Sequence, residues 1–259
     1  MTDQNSTAEA IIHFPRGLKQ PEGSFRFSMD ALLLAGYANP GKNNRLLDLG
    51  CGCGVIALAA LLSHKHLHAV GIDIAPELID CARQNASLLG LEDRFKAYTL
   101  DLRELGASET PIRPEQFDLV TANPPFRKAN QGRKPLGDMR RNALFEFAGT
   151  LPDFVKAAGF ALRNKGSFYC IWSSERLAEL ICSLKAYRLE PKQILPVQAR
   201  PSKECGLVLV KAIKNGGTGL KLDPPLLVYE QKSELPDSEP MLTLEVLKFC
   251  PWLACNSKR

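Results

Sequence analysis

The first feature with chemical potential is the glycine-rich segment LDLGCGCGV (47–55), which joins a predicted strand to a predicted helix. Gly50, Gly52 and Gly54 would let the backbone turn tightly and approach a ligand, with the N-terminus of the helix facing that ligand. Their spacing is GxGxG, whereas dinucleotide-binding folds use GxGxxG. The segment therefore predicts a ligand-binding turn and disfavours a nicotinamide-dependent oxidoreductase.

Aspartates stand at the ends of the first three predicted strands. Asp48 lies two residues before the first glycine, Asp73 ends the second strand and Asp101 ends the third. Because the carboxyl ends of parallel strands meet at one edge of a sheet, we expect all three acids at that edge. An acid at the position of Asp73 accepts hydrogen bonds from ribose hydroxyls in nucleoside-binding sheets.

A stiff turn follows the fourth predicted strand, FDLVTA (117–122). Its residues are Asn123, Pro124, Pro125 and Phe126. Two consecutive prolines can neither donate to a sheet ladder nor continue a helix, so the chain must leave the strand in an extended turn. An amide and an aromatic ring would then lie at the rim of the same edge, although a purely structural turn with a packed phenylalanine is the alternative.

A strongly basic segment comes directly after this turn. Residues 127–141 contain six cations and one acid, a net charge of +5 that equals the net charge of the whole chain. A local positive field of this strength attracts a polyanion such as a nucleic acid. The charged residues are Arg127, Lys128, Arg133, Lys134, Arg140 and Arg141, with Asp138 as the acid.

Strands alternate with helices along the chain, which predicts an α/β fold with a doubly wound, mostly parallel sheet. A helix interrupted near Pro152 is expected within 142–166, and 215–225 has the composition of a linker. The last two strands are expected to form an antiparallel return. Strands are predicted at 45–50, 68–74, 94–100, 117–122, 166–172, 187–197 and 205–214, and further helices at 55–62, 76–90 and 173–187.

The composition of the 259-residue chain, 45% hydrophobic and 24% charged, is typical of a globular protein with a substantial core. Its longest apolar run, 55–62, is too short for a membrane span, and 1–10 does not resemble a signal peptide. The eight cysteines are scattered through apolar segments, which favours buried thiols over disulfides or a metal site. We therefore expect a cytoplasmic protein without a metal or a membrane partner.

Together these residues resemble class I S-adenosylmethionine-dependent methyltransferases. LDLGCGCG is similar to their glycine loop, GIDI (71–74) to their ribose-binding motif, and Asp101 to the residue near the adenine amino group. The resemblance implies a Rossmann-like sheet of seven strands in the order 3-2-1-4-5-7-6, with strand 7 antiparallel and helices on both faces. It also implies that S-adenosylmethionine is bound by Asp48, Gly50, Gly52, Gly54, Asp73, Ile74, Asp101, Leu102 and Asn123.

The turn after the fourth strand resembles the [DNS]PP[YFW] motif of amino methyltransferases, whose acceptor is a planar, conjugated nitrogen. The resemblance implies that Asn123 and Pro124 accept hydrogen bonds from the amine and that Phe126 stacks on its plane. Pro125 is expected to contact the substrate. Adenine N6, guanine N2, cytosine N4 and a glutamine side-chain amide all fit such a motif.

More distant segments favour one acceptor. QPEGSFRFSMDALLLA (20–35) resembles the N-terminal block of the bacterial valine-tRNA adenine-N6 methyltransferase family, and 224–249 is similar to that family's ending. The resemblance implies that Arg26 and Asp30 line the cofactor pocket. One departure is that Phe145 precedes Glu146 where that family has histidine, which leaves the role of Glu146 open.

The expected function is transfer of a methyl group from S-adenosylmethionine to an exocyclic amine of an RNA base, with adenine N6 in a tRNA anticodon loop favoured. RNA phosphates would contact Lys128, Arg133, Lys134, Arg140 and Arg141. The alternatives are a protein-glutamine N5-methyltransferase, an rRNA guanine-N2 methyltransferase and a non-catalytic RNA-binding module. The expected organisation is a flexible N-terminus (1–12), a cofactor-covering segment (13–44), the catalytic core (45–213), and a linker with a short appendage packed on the core (214–259).

Overall fold

A twisted β-sheet forms the centre of the molecule. The computed structural model describes residues 2–21, 27–41, 45–107, 109–125, 149–231 and 240–256. Within these ranges the sheet has nine strands, with the order β3-β2-β1-β4-β5-β7-β6-β8, and β9 also pairs with β6. The strands are β1 Arg45–Leu49, β2 His68–Asp73, β3 Phe95–Thr99, β4 Phe117–Ala122, β5 Leu162–Ser173, β6 Leu189–Gln198, β7 Cys205–Lys214, β8 Lys221–Leu222 and β9 Leu226–Leu227.

The order of the first seven strands confirms the doubly wound α/β prediction. Strands β1 to β5 pair in parallel, and β7 runs antiparallel between β5 and β6. The predicted count of seven strands is wrong by two. Residues 221–222 and 226–227 each form a short parallel pairing with the edge strand β6. Unpaired edge groups of β6 are thereby hydrogen-bonded, which the linker-like composition of 215–225 did not indicate.

Helices cover both faces of this sheet. On one face α2 packs on β5, α3 on β1 and β2, and α4 on β2 and β3. On the other face α5 packs on β1, β4 and β5, and α6 packs on β5 and β6. The described helices are α1 Thr2–His13, α2 Met29–Tyr37, α3 Val55–Ser63, α4 Pro76–Leu88, α5 Leu151–Ala161, α6 Leu177–Ala186 and α7 Leu244–Phe249, with 3-10 turns at Leu102–Glu104, Ser174–Arg176 and Pro251–Asn256. None of the helices within the described ranges has the length and apolarity that crossing a bilayer requires.

The sequence accounts directly for the central elements. Leu46, Leu47 and Leu49 of β1 are fully buried, as expected for a parallel strand with helices on both faces. Helix α3 is buried from Val55 to Leu61, so its uniformly apolar sequence matches its position in the core. In α4, by contrast, only one side is buried, and Pro76 occupies the first turn, where its missing N–H costs nothing.

Two predicted helices differ in their bounds from the structure. Within the described residues the helix that contains Pro152 begins at Leu151, so Pro152 lies in its first turn, inside the capping box formed by Thr150 and Asp153. Residues 142–148 of that predicted helix lie outside the described residues. Likewise, α6 begins at Leu177 and not at Ser173, since a 3-10 turn occupies Ser174–Arg176.

Strand β2 passes so close to the glycine-rich turn that it has no room for a side chain at Gly71. A Cβ atom there would lie 2.6 Å from Cys51 Sγ and 3.1 Å from the ring of Phe95. Gly71 is paired with Asp48 of β1 and Ala97 of β3 in the middle of the sheet. The turn after β1 can therefore sit above β2 only because residue 71 is glycine.

We expect Gly71→Ala to lower the free energy of unfolding by about 1–3 kcal/mol, because Cys51 and the backbone near it must shift. Equilibrium urea unfolding measures this loss. Gly206→Ala in β7 is the matched control, since a Cβ atom there meets no atom within 4 Å. Equal stability of the two variants would contradict the proposed close approach.

Candidate active site

The turn between β1 and α3 has a backbone that only glycine adopts without strain. Gly50, Gly52 and Gly54 have φ values of 64°, 55° and 88°. The Gly54 amide donates to the Cys51 carbonyl at 2.9 Å, which closes the turn just before α3 begins. The positive φ values therefore explain why glycine stands at all three positions of this tight strand-to-helix turn.

The three glycines differ in what surrounds them. A Cβ atom at Gly50 would lie 3.1 Å from the ring of Phe154, and one at Gly54 would lie 3.3 Å from Ala82. A Cβ atom at Gly52 would meet nothing within 4 Å. The protein therefore fills the space next to Gly50 and Gly54, whereas the space next to Gly52 is open to a ligand.

Asp73, at the end of β2, holds the middle of this turn. One carboxylate oxygen accepts a hydrogen bond from the Gly52 amide at 2.9 Å, and the other accepts one from the Ala75 amide at 3.0 Å. Burial raises the pKa of Asp73, and these amides partly offset that rise. Each oxygen has a second lone pair, so Asp73 can still accept a hydrogen bond from a ribose hydroxyl.

Asp48 lies beneath the turn and not on its surface. Its side chain is fully buried, and one oxygen accepts a 2.8 Å hydrogen bond from the Thr121 hydroxyl of β4. Within the described residues its other oxygen, Oδ2, has no hydrogen-bond partner. Burial raises the pKa of Asp48 to about 7, and the nearby charge of Asp73 adds to that rise.

Asp101 follows β3, the strand next to β2, and so lies beside Asp73 at the same edge of the sheet. Its carboxylate accepts from the backbone amide of Arg103 at 2.9 Å and also pairs with the Arg103 guanidinium. This pairing lowers the pKa of Asp101. Leu102, the next residue, is buried, whereas Ile74 after β2 is half-buried. The Asp101 carboxylate must therefore accept the predicted hydrogen bond from an adenine amino group while it is also paired with Arg103.

Asn123 and Pro124 leave β4 beside the glycine turn. Ala122, the last residue of β4, pairs with Leu49, the last residue of β1, so Asn123 and Gly50 begin their turns at the same level. Asn123 and Pro125 are half-buried and Pro124 is buried. The remaining predicted acceptor and substrate residues lie outside the described residues; they are Phe126, Lys128, Arg133, Lys134, Arg140 and Arg141.

The segment that precedes α2 is hydrogen-bonded to the glycine turn through Asn85, a residue that the sequence analysis did not single out. Asn85 of α4 is fully buried and donates from Nδ2 to the carbonyls of Cys53 and Lys19, both at 3.0 Å. Its Oδ1 accepts from the Lys19 amide at 2.7 Å. The sequence signal that could have identified Asn85 is an asparagine on the otherwise apolar side of α4, because a buried amide must find polar partners.

Of the two residues predicted to contact the cofactor from this segment, only one is described. Asp30 is half-buried in the first turn of α2, where burial raises the pKa of its carboxyl. The Phe27 amide, two residues before α2, donates to the Gln20 side chain at 3.0 Å. Arg26 lies outside the described residues.

These groups fit S-adenosylmethionine on three observations. The space next to Gly52 admits a ligand, Asp73 can still accept a hydrogen bond from a ribose, and the N-terminus of α3 follows Gly54 directly. All of them lie at the carboxyl edge of β1, β2 and β4, where ligands bind in open α/β sheets. The edge is therefore a candidate site for a nucleoside cofactor and an acceptor.

Several known methyltransferases are similar to this chain. Residues 40–188 match the family described as a methyltransferase domain. The tRNA1(Val) (adenine(37)-N6)-methyltransferase of Porphyromonas gingivalis is 28% identical over 201 residues, which are 75% of this chain and 77% of that protein. The release factor glutamine methyltransferase of Clostridium acetobutylicum is 30% identical over 130 residues, 50% of this chain and 43% of that protein.

One solved structure is similar over most of both chains. It is an Agrobacterium tumefaciens protein described as a predicted O-methyltransferase, with a TM-score of 0.70 and 22% identity. The match covers 86% of this chain and 96% of that one. At this identity the similarity establishes the fold.

The raised pKa of Asp48 predicts a specific pH dependence of stability. Its ordinary value is 3.8 and its folded value is about 7, so the folded state binds an extra proton between these limits. The free energy of unfolding should therefore fall, by on the order of a few kcal/mol, as the pH rises from about 4 to about 7. Asp48→Asn should remove that part of the pH dependence, as measured by urea unfolding across this range. Asp93→Asn, at an exposed aspartate, is the control, and an equal effect of the two variants would rule out the burial argument.

The open space next to Gly52 predicts that an added methyl group weakens cofactor binding. Gly52→Ala should lower the affinity for S-adenosylmethionine about tenfold or more in titration calorimetry, since Cβ enters the space that the ligand needs. Gly219→Ala, at a glycine of φ 114° remote from the site, is the control for backbone strain. If both variants bind the cofactor like the unaltered protein, the ligand does not approach Gly52.

Proposed function

The chain belongs to the methyltransferase-domain family, and from that premise we propose that it methylates the exocyclic N6 of an adenine in a tRNA. The family match confirms the predicted class of enzyme, and the strand order confirms the predicted fold. S-adenosylmethionine is the methyl donor. The nature of the acceptor is the part that we propose.

The observation that carries the proposal is the position of Asn123 and Pro124. They follow β4 directly, and β4 lies next to β1, whose own end opens into the glycine turn. The Asn123 side chain is only half-buried, so its amide remains accessible to a ligand. A carboxamide oxygen and a proline carbonyl can each accept one N–H of a planar amine, which fits a primary exocyclic amine better than a hydroxyl.

Positioning is what such an acceptor needs. An exocyclic amine is a weak nucleophile, because its lone pair is delocalised into the ring. Two acceptors that hold both N–H groups would fix the nitrogen so that its lone pair points towards the methyl donor. The same oxygens would stabilise the positive charge that develops on the nitrogen during transfer. We place the ring of Phe126 against the plane of the base, in line with the motif.

The cofactor side of the site has matching parts. Asp73 would accept a hydrogen bond from the ribose, and the backbone at Gly52 would approach the amino-acid end of the cofactor. Leu102 and Ile74 would contact the adenine, with Asp101 near its amino group. The bound cofactor supplies an electrophilic methyl group on a sulfonium centre. Once methylated, the amine nitrogen loses a proton readily, so no dedicated general base is required.

RNA is supported as the substrate by charge and by similarity. The basic residues of 127–141 follow the acceptor turn directly and could contact phosphates on either side of the target base. An unpaired loop base is turned out into a pocket at lower cost than a base in a duplex. The relative from Porphyromonas gingivalis, similar over three quarters of this chain, is named for a tRNA adenine.

A protein substrate is the second candidate. The relative from Clostridium acetobutylicum is named for the glutamine of release factors and is 30% identical over half of this chain. A glutamine side-chain amide also presents a planar nitrogen with two N–H groups. Asn123 and Pro124 could therefore hold either acceptor, and only an assay separates them.

Incubation with labelled S-adenosylmethionine and either total tRNA or a release factor provides that assay. We expect label in tRNA, recovered as N6-methyladenosine by mass spectrometry of the nucleosides. Label in the release factor alone would replace the proposed substrate with a glutamine. Methylated guanine or cytosine in the RNA would retain the RNA substrate and change the acceptor.

Asn123→Ala tests the role of the amide. Turnover should fall by about two orders of magnitude, because one acceptor for the amine is lost, while the affinity for S-adenosylmethionine changes little. Asn164→Ala, at an exposed asparagine near the start of β5 and thus at the opposite edge of the sheet, is the matched control. Retained turnover in the Asn123 variant would refute the assigned role.

A further inference from the structure

A cleft of about 430 Å³ lies at the amino edge of the sheet, opposite the candidate active site. It is bounded by the end of α5, the segment between α6 and β6, and the end of β7. The Glu115 amide, just before β4, donates to the Phe160 carbonyl at 3.0 Å and closes one side. The side chains that matter for its chemistry are Glu115, Lys156, Phe160, Tyr187, Arg188 and Lys214.

The lining of this cleft carries an excess of positive charge. Lys214 pairs with Glu115 at 3.0 Å and also donates to the Leu162 carbonyl at 2.7 Å, so these two charges offset each other. Lys156 and Arg188 are both exposed, and neither side chain forms an ion pair or hydrogen bond within the described residues. Two cations in one cleft are therefore available to an anionic ligand.

Backbone strain is concentrated around the same cleft. Within the described ranges, four residues other than glycine have φ in the left-handed region: Glu115, Lys165, Arg188 and Asn215, with φ between 52° and 62°. Three of the four line the cleft. The Asn215 amide donates to the Arg188 carbonyl at 2.8 Å, which fixes two of the strained residues to each other. Such strain is characteristic of sites whose shape serves a function.

A second depression connects this cleft with the candidate active site. It has a volume of about 80 Å³ and shares Lys156 and Phe160 with the larger cleft. Its other end is formed by Leu102 and Arg103, the two residues that follow Asp101 at the carboxyl edge. The charged residues of this depression are Arg103, which pairs with Asp101, and Asp153 and Lys156. A groove thus runs along the outer side of α5 from the cofactor edge to the cleft, with Lys156 where the two depressions meet.

We infer that the cleft is a second contact site for the RNA substrate, in which Lys156 and Arg188 bind backbone phosphates remote from the methylated base. The inference rests on the proposed function, since it extends the RNA contacts of the same enzyme. The six residues of β4 separate the two edges by about 20 Å, at roughly 3.3 Å per residue. The RNA must therefore extend at least this distance from the target base in order to reach the cleft.

The shape and the chemistry favour a phosphodiester backbone over a small nucleotide. The two free cations are exposed at the rim, where they can contact phosphates of a passing strand. Phe160 and Tyr187 are half-buried in the wall, so they supply packing surface without enclosing a base. An acidic protein surface could also bind two cations. Loss of methylation of a release factor with RNA binding intact would indicate that alternative.

The test is direct RNA binding by the full chain, measured by fluorescence anisotropy over a series of salt concentrations. The double variant Lys156→Glu, Arg188→Glu should bind a full-length tRNA about tenfold more weakly than the unaltered protein. Its plot of log affinity against log salt should be flatter by about two units, one for each lost phosphate contact. A short RNA hairpin that carries the target loop but does not reach the cleft should bind both proteins equally.

Lys65→Glu, Lys248→Glu is the matched control, because both lysines are exposed and lie away from the cleft. It changes the net charge by the same amount and should leave the salt dependence unaltered. Thermal unfolding and the affinity for S-adenosylmethionine show whether each variant retains its fold.

Three outcomes would overturn the inference: unchanged tRNA binding in the cleft variant, an equal loss with the hairpin, or loss of methylation of a release factor with RNA binding intact. Failure of the proposed function is visible separately. In that case the unaltered protein binds tRNA but transfers no methyl group to it, and the binding comparison still decides the role of the cleft. A protein that binds no RNA at all would refute both.

Discussion

The candidate site depends on one carboxylate that bridges two backbone amides. Asp73 accepts from Gly52 and from Ala75, and so ties the turn after β1 to the turn after β2. Without that bridge, three glycines within five residues would leave the turn with many accessible conformations. Because the bridge uses one lone pair of each oxygen, the same group can hold the turn and also face a ligand. The acid therefore contributes both to the shape of the site and to its binding capacity.

A buried hydrogen-bonded pair, Asp48 and Thr121, lies beneath the glycine turn that Asp73 holds. Asp48 and Thr121 are adjacent across β1 and β4, both fully buried, and their hydrogen bond joins the strand that leads to the glycine turn to the strand that leads to Asn123. A buried carboxylate with one unpartnered oxygen is costly, and its raised pKa reflects that cost. Asn85 adds a third buried polar link, between the turn and the segment before α2. Cofactor and acceptor sides are thus connected through buried hydrogen bonds, not only through surface loops.

The two edges of the sheet have different chemistry because parallel strands place all their carboxyl ends on one side. The glycine turn and the amide of Asn123 lie at that side, together with Asp73 and Asp101. The amino edge instead collects the ends of α5 and β7, where Lys156, Arg188 and Lys214 face a cleft. Asp73 and Asp101 thus lie at the edge proposed for the cationic methyl donor, whereas Lys156 and Arg188 lie at the opposite edge, where they could contact a polyanion.

The sequence by itself determined the order of elements, the glycine turn and the placement of Asp73, Asp101 and Asn123 at the ends of their strands. These inferences held because apolar runs, glycine spacing and proline are local signals whose consequences do not depend on distant residues. Tertiary structure alone decided that Asp48 is buried against Thr121, that Asn85 reaches Cys53, and that residues 221–222 and 226–227 join the sheet. Each of these depends on which residues far apart in the chain become neighbours, and a single sequence carries no local signal for that.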